Sequence, residues 1–383
     1  MIWDKKDKIF NAMVVGFLIL WIATIALLAS TCIGHSEEFQ KGVCYATWEK
    51  DRFSSKGSEQ ALEKLSGIGV EYIQINVTYY QKSYNSTRMY PSNRTPSDKS
   101  IQHAIKEAKE LGMRVMLKPH IDLIDETGGM WRADIGFYND KDWDKWFKNY
   151  KKFILHFAKL AERHNVEIFS VGTELSFTTQ KKDKWLSIIG DIREVYTGKI
   201  IYSANWDNYR EVKFWDKLDY IGIDAYFPLS YGTKPELAEL VAGWQKWIRE
   251  IEDWLSSESY DKSVVFTEIG YPSASNAASE PWSGTAHGNA DLELQAKCYE
   301  AFFDTVYNKE WLVGAYWWRY APSIYGGGKH NRKFTPYKKL AEEIISKNYL
   351  LERNMSSLKR GKLEKENNEQ MHNRSIYEGD GIL

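Results

Sequence analysis

The feature of this sequence that most constrains its fold is a regular alternation of short β runs with amphipathic helices between residues 40 and 349. Several β runs are nearly continuous stretches of apolar or β-branched residues, which is typical of parallel strands buried on both faces. The helices between them place apolar residues on one face, as Ile101, Ile105 and Ala108 do. Eight strands are predicted: Gly42–Thr47, Glu71–Val77, Met113–Pro119, Val166–Gly172, Lys199–Ala204, Leu218–Asp224, Ser263–Glu268 and Val313–Trp318.

Eight strands, each followed by a helix, predict the α/β class and a closed parallel (β/α)8 barrel, the TIM barrel. An open doubly wound sheet is the alternative, but the glycine fingerprint G-x-G-x-x-G does not follow the first strand. The region from residue 40 to residue 349 is long enough, because such barrels take roughly 250 residues. The active site of a barrel of this kind lies at the C-terminal ends of its strands.

The two ends of the chain differ from this region. Met13–Ile33 carries no charge, and a run of roughly 20 apolar residues can span a bilayer as a helix. Three lysines precede the run, so the positive-inside rule predicts a single-pass membrane anchor in residues 1–35 with the barrel outside the cytoplasm. Secretion after signal cleavage is the alternative, with Ala29-Ser30-Thr31 as a cleavage site. Residues 351–383 are polar and charged, and we expect them to be disordered.

The composition excludes several classes of function. The net charge is -1, and a nucleic-acid partner would need a clustered basic face. The three cysteines and eight histidines show no metal-ligand spacing and no disulfide framework, so neither a metal nor another cofactor is expected. Nothing in the sequence points to an oligomer, and we expect a monomer.

The ends of the predicted strands carry aromatic or ionisable residues almost without exception. Glu174 and Glu268 each follow a buried β run, where a glutamate costs stability unless it is paired or used. Cleavage of a glycosidic bond needs two carboxyl groups that flank the bond. The pattern therefore predicts a glycosidase whose partner is a polysaccharide or oligosaccharide. The candidate substrate-binding residues are Trp48, Lys118, His120, Asn205, Trp206, Tyr226, Trp317 and Trp318.

Four stretches of sequence resemble a known group of enzymes, the clan A glycoside hydrolases, which are retaining (β/α)8 enzymes. Within this clan the sequence is most similar to glycoside hydrolase family 113, the β-mannanase family, over about residues 40–348. The stretches are Val171-Gly172-Thr173-Glu174-Leu175, Gly222-Ile223-Asp224-Ala225-Tyr226, Phe266-Thr267-Glu268-Ile269-Gly270-Tyr271 and Tyr316-Trp317-Trp318.

The resemblance implies a role for several of these residues. Glu174 would be the acid/base and Glu268 the nucleophile, with Tyr226 touching the nucleophile. Either Trp317 or Trp318 would be the platform under the sugar at the point of cleavage. The implied substrate is β-1,4-mannan, and the implied reaction is hydrolysis by double displacement.

One residue departs from the pattern of the clan. Many members have Asn just before the acid/base, where it contacts the sugar 2-hydroxyl, and this chain has Thr173. The contact must then be weaker or come from elsewhere, with Asn205 or His120 as candidates. Because the 2-hydroxyl separates gluco from manno sugars, the sequence leaves the identity of the sugar open.

Two other functions are compatible with the sequence. Gly326-Gly327-Gly328-Lys329 follows the eighth strand, where barrels often bind phosphate, so the enzyme could act on a phosphorylated substrate. The stretch lacks the Ser or Thr of a phosphate-binding signature, and a surface loop is the better interpretation. The other possibility is a membrane-anchored barrel that binds glycans without catalysis. Loss of either glutamate would have supported it, but both are present.

Overall fold

A computed structural model describes residues 38–284 and 289–351 of the chain. The predicted anchor in residues 1–35 and nearly all of the predicted polar tail, from residue 352 onward, lie outside the described residues. No helix within the described residues is both long enough and apolar enough to cross a bilayer. The strands are β1 (Gln40–Ala46), β2 (Tyr72–Gln81), β3 (Met89–Tyr90), β4 (Arg114–Leu123), β5 (Ile168–Thr173), β6 (Lys199–Asn205), β7 (Tyr220–Asp224), β8 (Val264–Ile269) and β9 (Leu312–Tyr320).

Eight of these strands form a closed parallel barrel. Each pairs in parallel with its neighbours in the order β1-β2-β4-β5-β6-β7-β8-β9, and β9 pairs with β1 to close the ring. The (β/α)8 prediction is therefore confirmed, and the open sheet is excluded. The ninth strand, β3, pairs antiparallel with the end of β2 and lies outside the ring. It was not predicted, because two residues carry no periodicity.

Within residues 38–284 and 289–351, seven α-helices cover the outside of the barrel. They are α1 (Lys56–Gly67), α2 (Asp98–Glu110), α3 (Asp140–Arg163), α4 (Lys182–Arg193), α5 (Leu237–Ser257), α6 (Leu292–Thr305) and α7 (residues 340–351). Polar side chains cap several of them. The side chains of Ser55, Ser97, Asn139 and Asp291 each accept a hydrogen bond from a backbone N–H in the first turn, which satisfies a donor that the helix itself cannot.

The prediction that every strand is followed by a helix is wrong after β6. The connection to β7 contains only two 3-10 turns, Tyr209–Glu211 and Trp215–Lys217. Aromatic side chains fill the space that a helix would cover: Phe214 and Trp215 are fully buried, and Phe214 stacks on Trp185 with ring centroids 5.3 Å apart. A short segment with large rings can thus cover the barrel as a helix would.

The last helix also differs from its predicted position. It was expected from about Pro336, but it begins at residue 340. Residues 336–339 form a turn in which Lys338 has a φ of 57° and Lys339 is buried. The ammonium group of Lys339 donates to Ser273 Oγ at 2.8 Å and to the backbone oxygen of Lys333 at 2.7 Å, so this side chain ties the turn to the top of the barrel.

Two layers of apolar side chains make up the core. The larger layer lies between the strands and the helices, and the smaller one fills the interior of the barrel. Because successive side chains of a strand point to opposite faces, neighbouring residues of β9 belong to different layers. Tyr316 lies in the barrel interior, Trp317 lies in the outer layer, and Trp318 packs against the interior again.

Candidate active site

A cavity of about 600 Å3 opens at the C-terminal ends of the barrel strands. Of the ten residues predicted for the site, eight line it, and they come from seven of the eight barrel strands or the loops after them. Trp48, His120, Glu174, Asn205, Trp206, Tyr226, Glu268 and Trp318 line the cavity. Lys118 and Trp317 do not, and each is described below.

Glu268 is held by two donors, one on β4 and one just after β7. The hydroxyl of Tyr226 donates to Glu268 Oε2 at 2.6 Å, and the ammonium of Lys118 donates to Oε1 at 2.8 Å. Glu268 itself is 4% exposed. A buried carboxylate that accepts two such bonds is fixed in position.

Lys118 was predicted to bind substrate, but it lies beneath the floor of the cavity. Its side chain is completely buried, and its ammonium bridges Glu268 and Asp224, whose Oδ1 lies 2.7 Å away. Asp224 Oδ1 also accepts from the hydroxyl of Thr267 at 2.7 Å. Burial disfavours the charged form of Lys118, but the charges of Asp224 and Glu268 outweigh it and raise the pKa of Lys118. Lys118 therefore supports the nucleophile candidate rather than a sugar.

Asp224 is the second anchor of this ammonium, as fully buried as Lys118 itself. Burial raises the pKa of Asp224 well above its ordinary value, and the neighbouring charge of Glu268 raises it further while Lys118 opposes the rise. The ammonium of Lys118 is thus the shared partner of the Asp224 and Glu268 carboxyl groups. We expect a substitution at Asp224 to change the position of the Lys118 ammonium and therefore its contact with Glu268.

Glu174 lies in a different environment. It follows β5 with a φ of 51°, a conformation that is strained for a residue with a side chain, and its N–H donates to the backbone oxygen of Ser203 at 2.8 Å. The guanidinium of Arg132 bonds both Glu174 and Asp122 and donates through Nε to the oxygen of Ile121 at 3.0 Å. Burial raises the pKa of Glu174, and the charge of Glu268 adds to the rise, while Arg132 opposes it.

His120 is a neutral side chain in this cavity. Burial lowers its pKa well below the ordinary value, and the positive charges of Lys118 and Arg132 lower it further. Asn76 Nδ2 lies 2.8 Å from His120 Nε2, so the neutral ring accepts from the amide. Its distance to Glu268 Oε1 is 3.9 Å. Thr173 is buried, donates through its hydroxyl to the backbone oxygen of Pro119 at 3.4 Å and does not line the cavity.

The structure separates the two tryptophans of β9. Trp317 is fully buried in the outer layer, where its ring stacks on Tyr299 with centroids 3.9 Å apart. It does not line the cavity, so in this structure its ring packs in the core rather than facing a substrate. Trp318 lines the cavity and is half-buried, which leaves it as the candidate platform.

Several residues that line the cavity were not among the predicted site residues, and Arg132, Trp282 and Phe334 are three of them. Arg132 lies in the long loop after β4, where no pattern indicates which cation reaches Glu174. Trp282 stacks on Trp206 with centroids 5.3 Å apart, and Phe334 meets Tyr226 edge-on at 6.1 Å. Both come from loops after β8 and β9, whose paths cannot be read from periodicity.

The site thus brings two carboxyl groups into one cavity and surrounds them differently. Glu268 accepts from Lys118 and Tyr226, while burial favours a protonated Glu174. When two acids in one cavity lie in different environments, one can act as a proton donor and the other as a nucleophile or base. Flat aromatic walls on several sides suit the faces of sugar rings.

The chain is similar to known glycoside hydrolases. The profile of Glycoside Hydrolase Family 113 matches residues 44–339. Two solved GH113 β-1,4-mannanases are 28% and 29% identical to the chain; each match covers 82% of this chain and 99% of the other, with a TM-score of 0.74. The β-mannanase AaManA from Alicyclobacillus acidocaldarius, in complex with ManMIm, matches 82% of this chain and 98% of its own at the same TM-score; at 23% identity it shows the likeness of the fold. No curated protein matches the chain. The chain therefore belongs to glycoside hydrolase family 113 and is a glycosidase.

Proposed function

We propose that the protein is a retaining β-mannanase that cleaves β-1,4-linked mannan or manno-oligosaccharides by double displacement. The observation that carries the proposal is that Glu174 and Glu268 reach the same cavity in contrasting environments. The similarity to solved β-1,4-mannanases over nearly their whole length supports the substrate class.

In the first step, the carboxylate of Glu268 attacks the anomeric carbon, and the bond from that carbon to the leaving oxygen breaks. Glu174 gives its proton to the leaving oxygen, which departs as a hydroxyl group. Tyr226 and Lys118 hold the attacking carboxylate in place. Because these donors are already ordered, the carboxylate needs no rearrangement of solvent before it attacks.

In the second step, Glu174 is ionised and takes a proton from water. The oxygen of that water attacks the anomeric carbon, and the bond to Glu268 breaks. Configuration at the anomeric carbon is inverted twice and therefore retained. Arg132 supports this step, because its charge stabilises the ionised form of Glu174 that the first step leaves behind.

The remaining aromatic and polar residues would hold the sugar. Trp318 is the platform at the point of cleavage, and Trp48 and Trp206 extend the aromatic wall to either side. Asn205 is 8% exposed and donates to Asp207 Oδ1 at 2.7 Å, which fixes its amide at the cavity wall. Asn205 and His120 are the candidates for the contact to the 2-hydroxyl that Thr173 does not make.

The test is a product analysis with oligosaccharides of β-mannan, β-glucan and xylan. We expect fastest hydrolysis of the manno-oligosaccharides, with the β-anomer released first when the products are followed by NMR. Hydrolysis of cello-oligosaccharides without hydrolysis of manno-oligosaccharides would contradict the substrate. Initial release of the α-anomer would contradict the retaining mechanism.

We also propose that the barrel is held at a membrane, outside the cytoplasm. The uncharged run Met13–Ile33 and the lysines before it support this orientation. Protease added to intact cells or spheroplasts should digest the barrel. Full protection would contradict the orientation, and a mature N-terminus just after the apolar run would favour secretion.

A further inference from the structure

A second cavity adjoins the catalytic one. It has a volume of about 390 Å3 and shares Trp48, Gly284, Trp318 and Phe334 with the central cavity. Most of the rest of its lining comes from residues 319–337, the end of β9 and the connection to α7. This connection contains the Gly326-Gly327-Gly328-Lys329 stretch, to which the proposed reaction assigns no role.

The charged side chains that line this second cavity are all cationic. Among the described residues, Arg319 and Lys333 line it, and no Asp or Glu does. The imbalance extends through the connection, because residues 321–339 contain five lysines and arginines and no acidic residue. A groove lined by one sign of charge attracts ligands of the opposite sign.

Arg319 has an unusual position within this cavity. Its guanidinium lies over the ring of Trp48, 4.5 Å from the centroid, and donates through Nη1 to the backbone oxygen of Ala46 at 3.2 Å. Within the part of the chain that the structure describes, no carboxylate lies within ion-pair distance of it. Apart from its bond to Ala46, this half-buried guanidinium donates to no other acceptor among the described residues, so its remaining N–H groups can bind an anion.

Arg132 is an arginine of the same protein whose guanidinium is paired with carboxylates, and it can be compared with Arg319. For both arginines burial disfavours the charged form. At Arg132 the charges of Asp122 and Glu174 outweigh burial and raise the pKa, whereas burial lowers the pKa of Arg319. Among the described residues, Arg132 therefore has carboxylate partners, whereas Arg319 has none.

Close packing and hydrogen bonds fix the conformation of the connection between β9 and α7. Gly327 has a φ of 70°, and a Cβ atom there would come within 2.0 Å of the backbone oxygen of Tyr337, so only glycine fits this close approach. Lys339 donates to Asn331 Oδ1 at 3.1 Å and to the backbone oxygen of Lys333 at 2.7 Å. The loop that carries Lys333 is therefore tied down beside the cavity.

The position of the second cavity indicates which part of a substrate would reach it. In the proposed reaction Glu174 protonates the leaving oxygen, so the leaving part of the chain lies on the side of Glu174, Arg132 and Trp131. None of these three residues lines the second cavity. The second cavity lies instead beyond Trp318, on the side of the sugar that becomes attached to Glu268.

We propose that the second cavity is a subsite for an anionic sugar unit on the non-reducing side of the cleaved bond, with its carboxylate or phosphate bound by Arg319 and Lys333. The inference rests on the proposed function for the direction of the chain. A guanidinium offers two parallel N–H donors that match either anion, and the lysine adds a second charge at the mouth of the cavity.

The test measures binding by calorimetry to the full-length Glu268→Gln protein, so that turnover does not interfere. The probes are mannotetraose, the same tetrasaccharide with a C6 carboxylate or a C6 phosphate on its non-reducing terminal unit, and the aldonic acid with its carboxylate at the reducing end. We expect at least one of the first two anions to bind about tenfold more tightly than the neutral probe at low salt. The aldonic acid should show no gain, and the stronger of the two anions identifies the natural group.

Matched variants test which side chains cause the preference for the anionic probe. Arg319→Gln and Lys333→Gln should each reduce the preference for the anionic probe, and the exposed Lys333 can be changed without disturbing the fold. Lys329→Gln removes the same charge from the same connection but lies outside the lining, and it should keep the preference. Equal binding of neutral and anionic probes would overturn the inference and leave the mannanase proposal intact. Tight binding of the anionic probe without binding of mannotetraose would support the subsite and count against neutral mannan as substrate.

Discussion

The ammonium of Lys118 and the carboxylate of Glu268 lie 2.8 Å apart in a barrel interior that leaves Lys118 no exposure to solvent. The same ammonium holds Asp224 at 2.7 Å, so a single cation compensates two buried carboxyl groups. This arrangement fixes the nucleophile candidate from below, while Tyr226 fixes it from the side. The position of the reacting oxygen therefore depends on a residue that never touches substrate.

Replacement of Lys118 by methionine should damage both stability and catalysis. Removing one partner of a buried ion pair costs about 3–5 kcal/mol, and here two carboxyl groups lose their cation. We expect the free energy of unfolding to fall by about that amount, and kcat to fall on the order of 100-fold or more because Glu268 is no longer held. Urea unfolding and initial rates measure the two effects.

The control for this variant is Lys109→Met. Lys109 pairs with Glu167 at 2.6 Å, but both side chains are about one-third exposed and lie at the opposite end of the barrel. Partly exposed pairs contribute about 0–1 kcal/mol, so stability should change little and kcat should stay at the wild-type value. A Lys118→Met protein with wild-type stability and rate would contradict the role given to the buried cation.

Replacement of Arg132 by glutamine should move the basic limb of the pH–rate profile. Burial raises the pKa of Glu174, and Arg132 opposes that rise. Without Arg132 the pKa of Glu174 should rise further, so the protonated acid persists to higher pH and the decline in rate at alkaline pH should begin later. Arg210→Gln removes a comparable arginine–glutamate pair at the surface and should leave the profile unchanged. A basic limb that stays in place or moves to lower pH in Arg132→Gln would contradict the assignment of Glu174.

The two tryptophans of β9 should respond to alanine in opposite ways. Trp318→Ala removes the proposed sugar platform from a half-buried position, so kcat/KM should fall about tenfold or more with a modest change in stability. Trp317→Ala empties a fully buried site and should cost about 3–5 kcal/mol of unfolding free energy. The folded fraction of that variant should keep most of its kcat/KM. If Trp317→Ala abolished activity in a protein of unchanged stability, the choice between the two rings would be reversed.

The barrel should fold and act without the ends of the chain. A fragment of residues 39–351 keeps every described strand and helix. We expect it to be soluble and monodisperse, with the specific activity of the full-length protein. Aggregation of the fragment, or a broad and uncooperative thermal transition, would show that the predicted domain boundaries are wrong.

The barrel could be predicted from the pattern of apolar residues. Each strand is buried on both faces and is a nearly continuous apolar run, whereas each helix buries one face and repeats its apolar residues with the helical period. Strand ends were equally informative: Glu174, Glu268 and Tyr226 follow apolar runs, and the C-terminal ends of parallel strands meet at one face. The choice between Trp317 and Trp318 was not predictable, because a period of two fixes alternation but not which set faces inward. Lys118 was predicted to be a substrate ligand for a related reason. Its position near a strand end does not show that its side chain is buried beneath the cavity rather than exposed in it.

The contacts made by loops lay beyond what the sequence could show. Arg132 reaches Glu174 from the loop after β4, and Phe334 reaches Tyr226 from the loop after β9. Neither loop has a regular period, and their paths depend on tertiary contacts such as that between Gly327 and Tyr337. The missing helix after β6 has the same origin, because buried rings at Phe214 and Trp215 take the place of helical packing.

The central claim is that Glu268 is the nucleophile and Glu174 the acid/base. The most direct test is the anomeric configuration, determined by NMR, of the glycosyl azide that each alanine variant forms from an activated aryl β-mannoside or β-manno-oligosaccharide with azide. In Glu268→Ala azide occupies the space of the lost carboxylate and should give the inverted α-azide. In Glu174→Ala the covalent intermediate still forms, and azide should give the β-azide with retained configuration. The reverse pairing of products, or near-native hydrolysis of a natural oligosaccharide by either variant, would contradict the account.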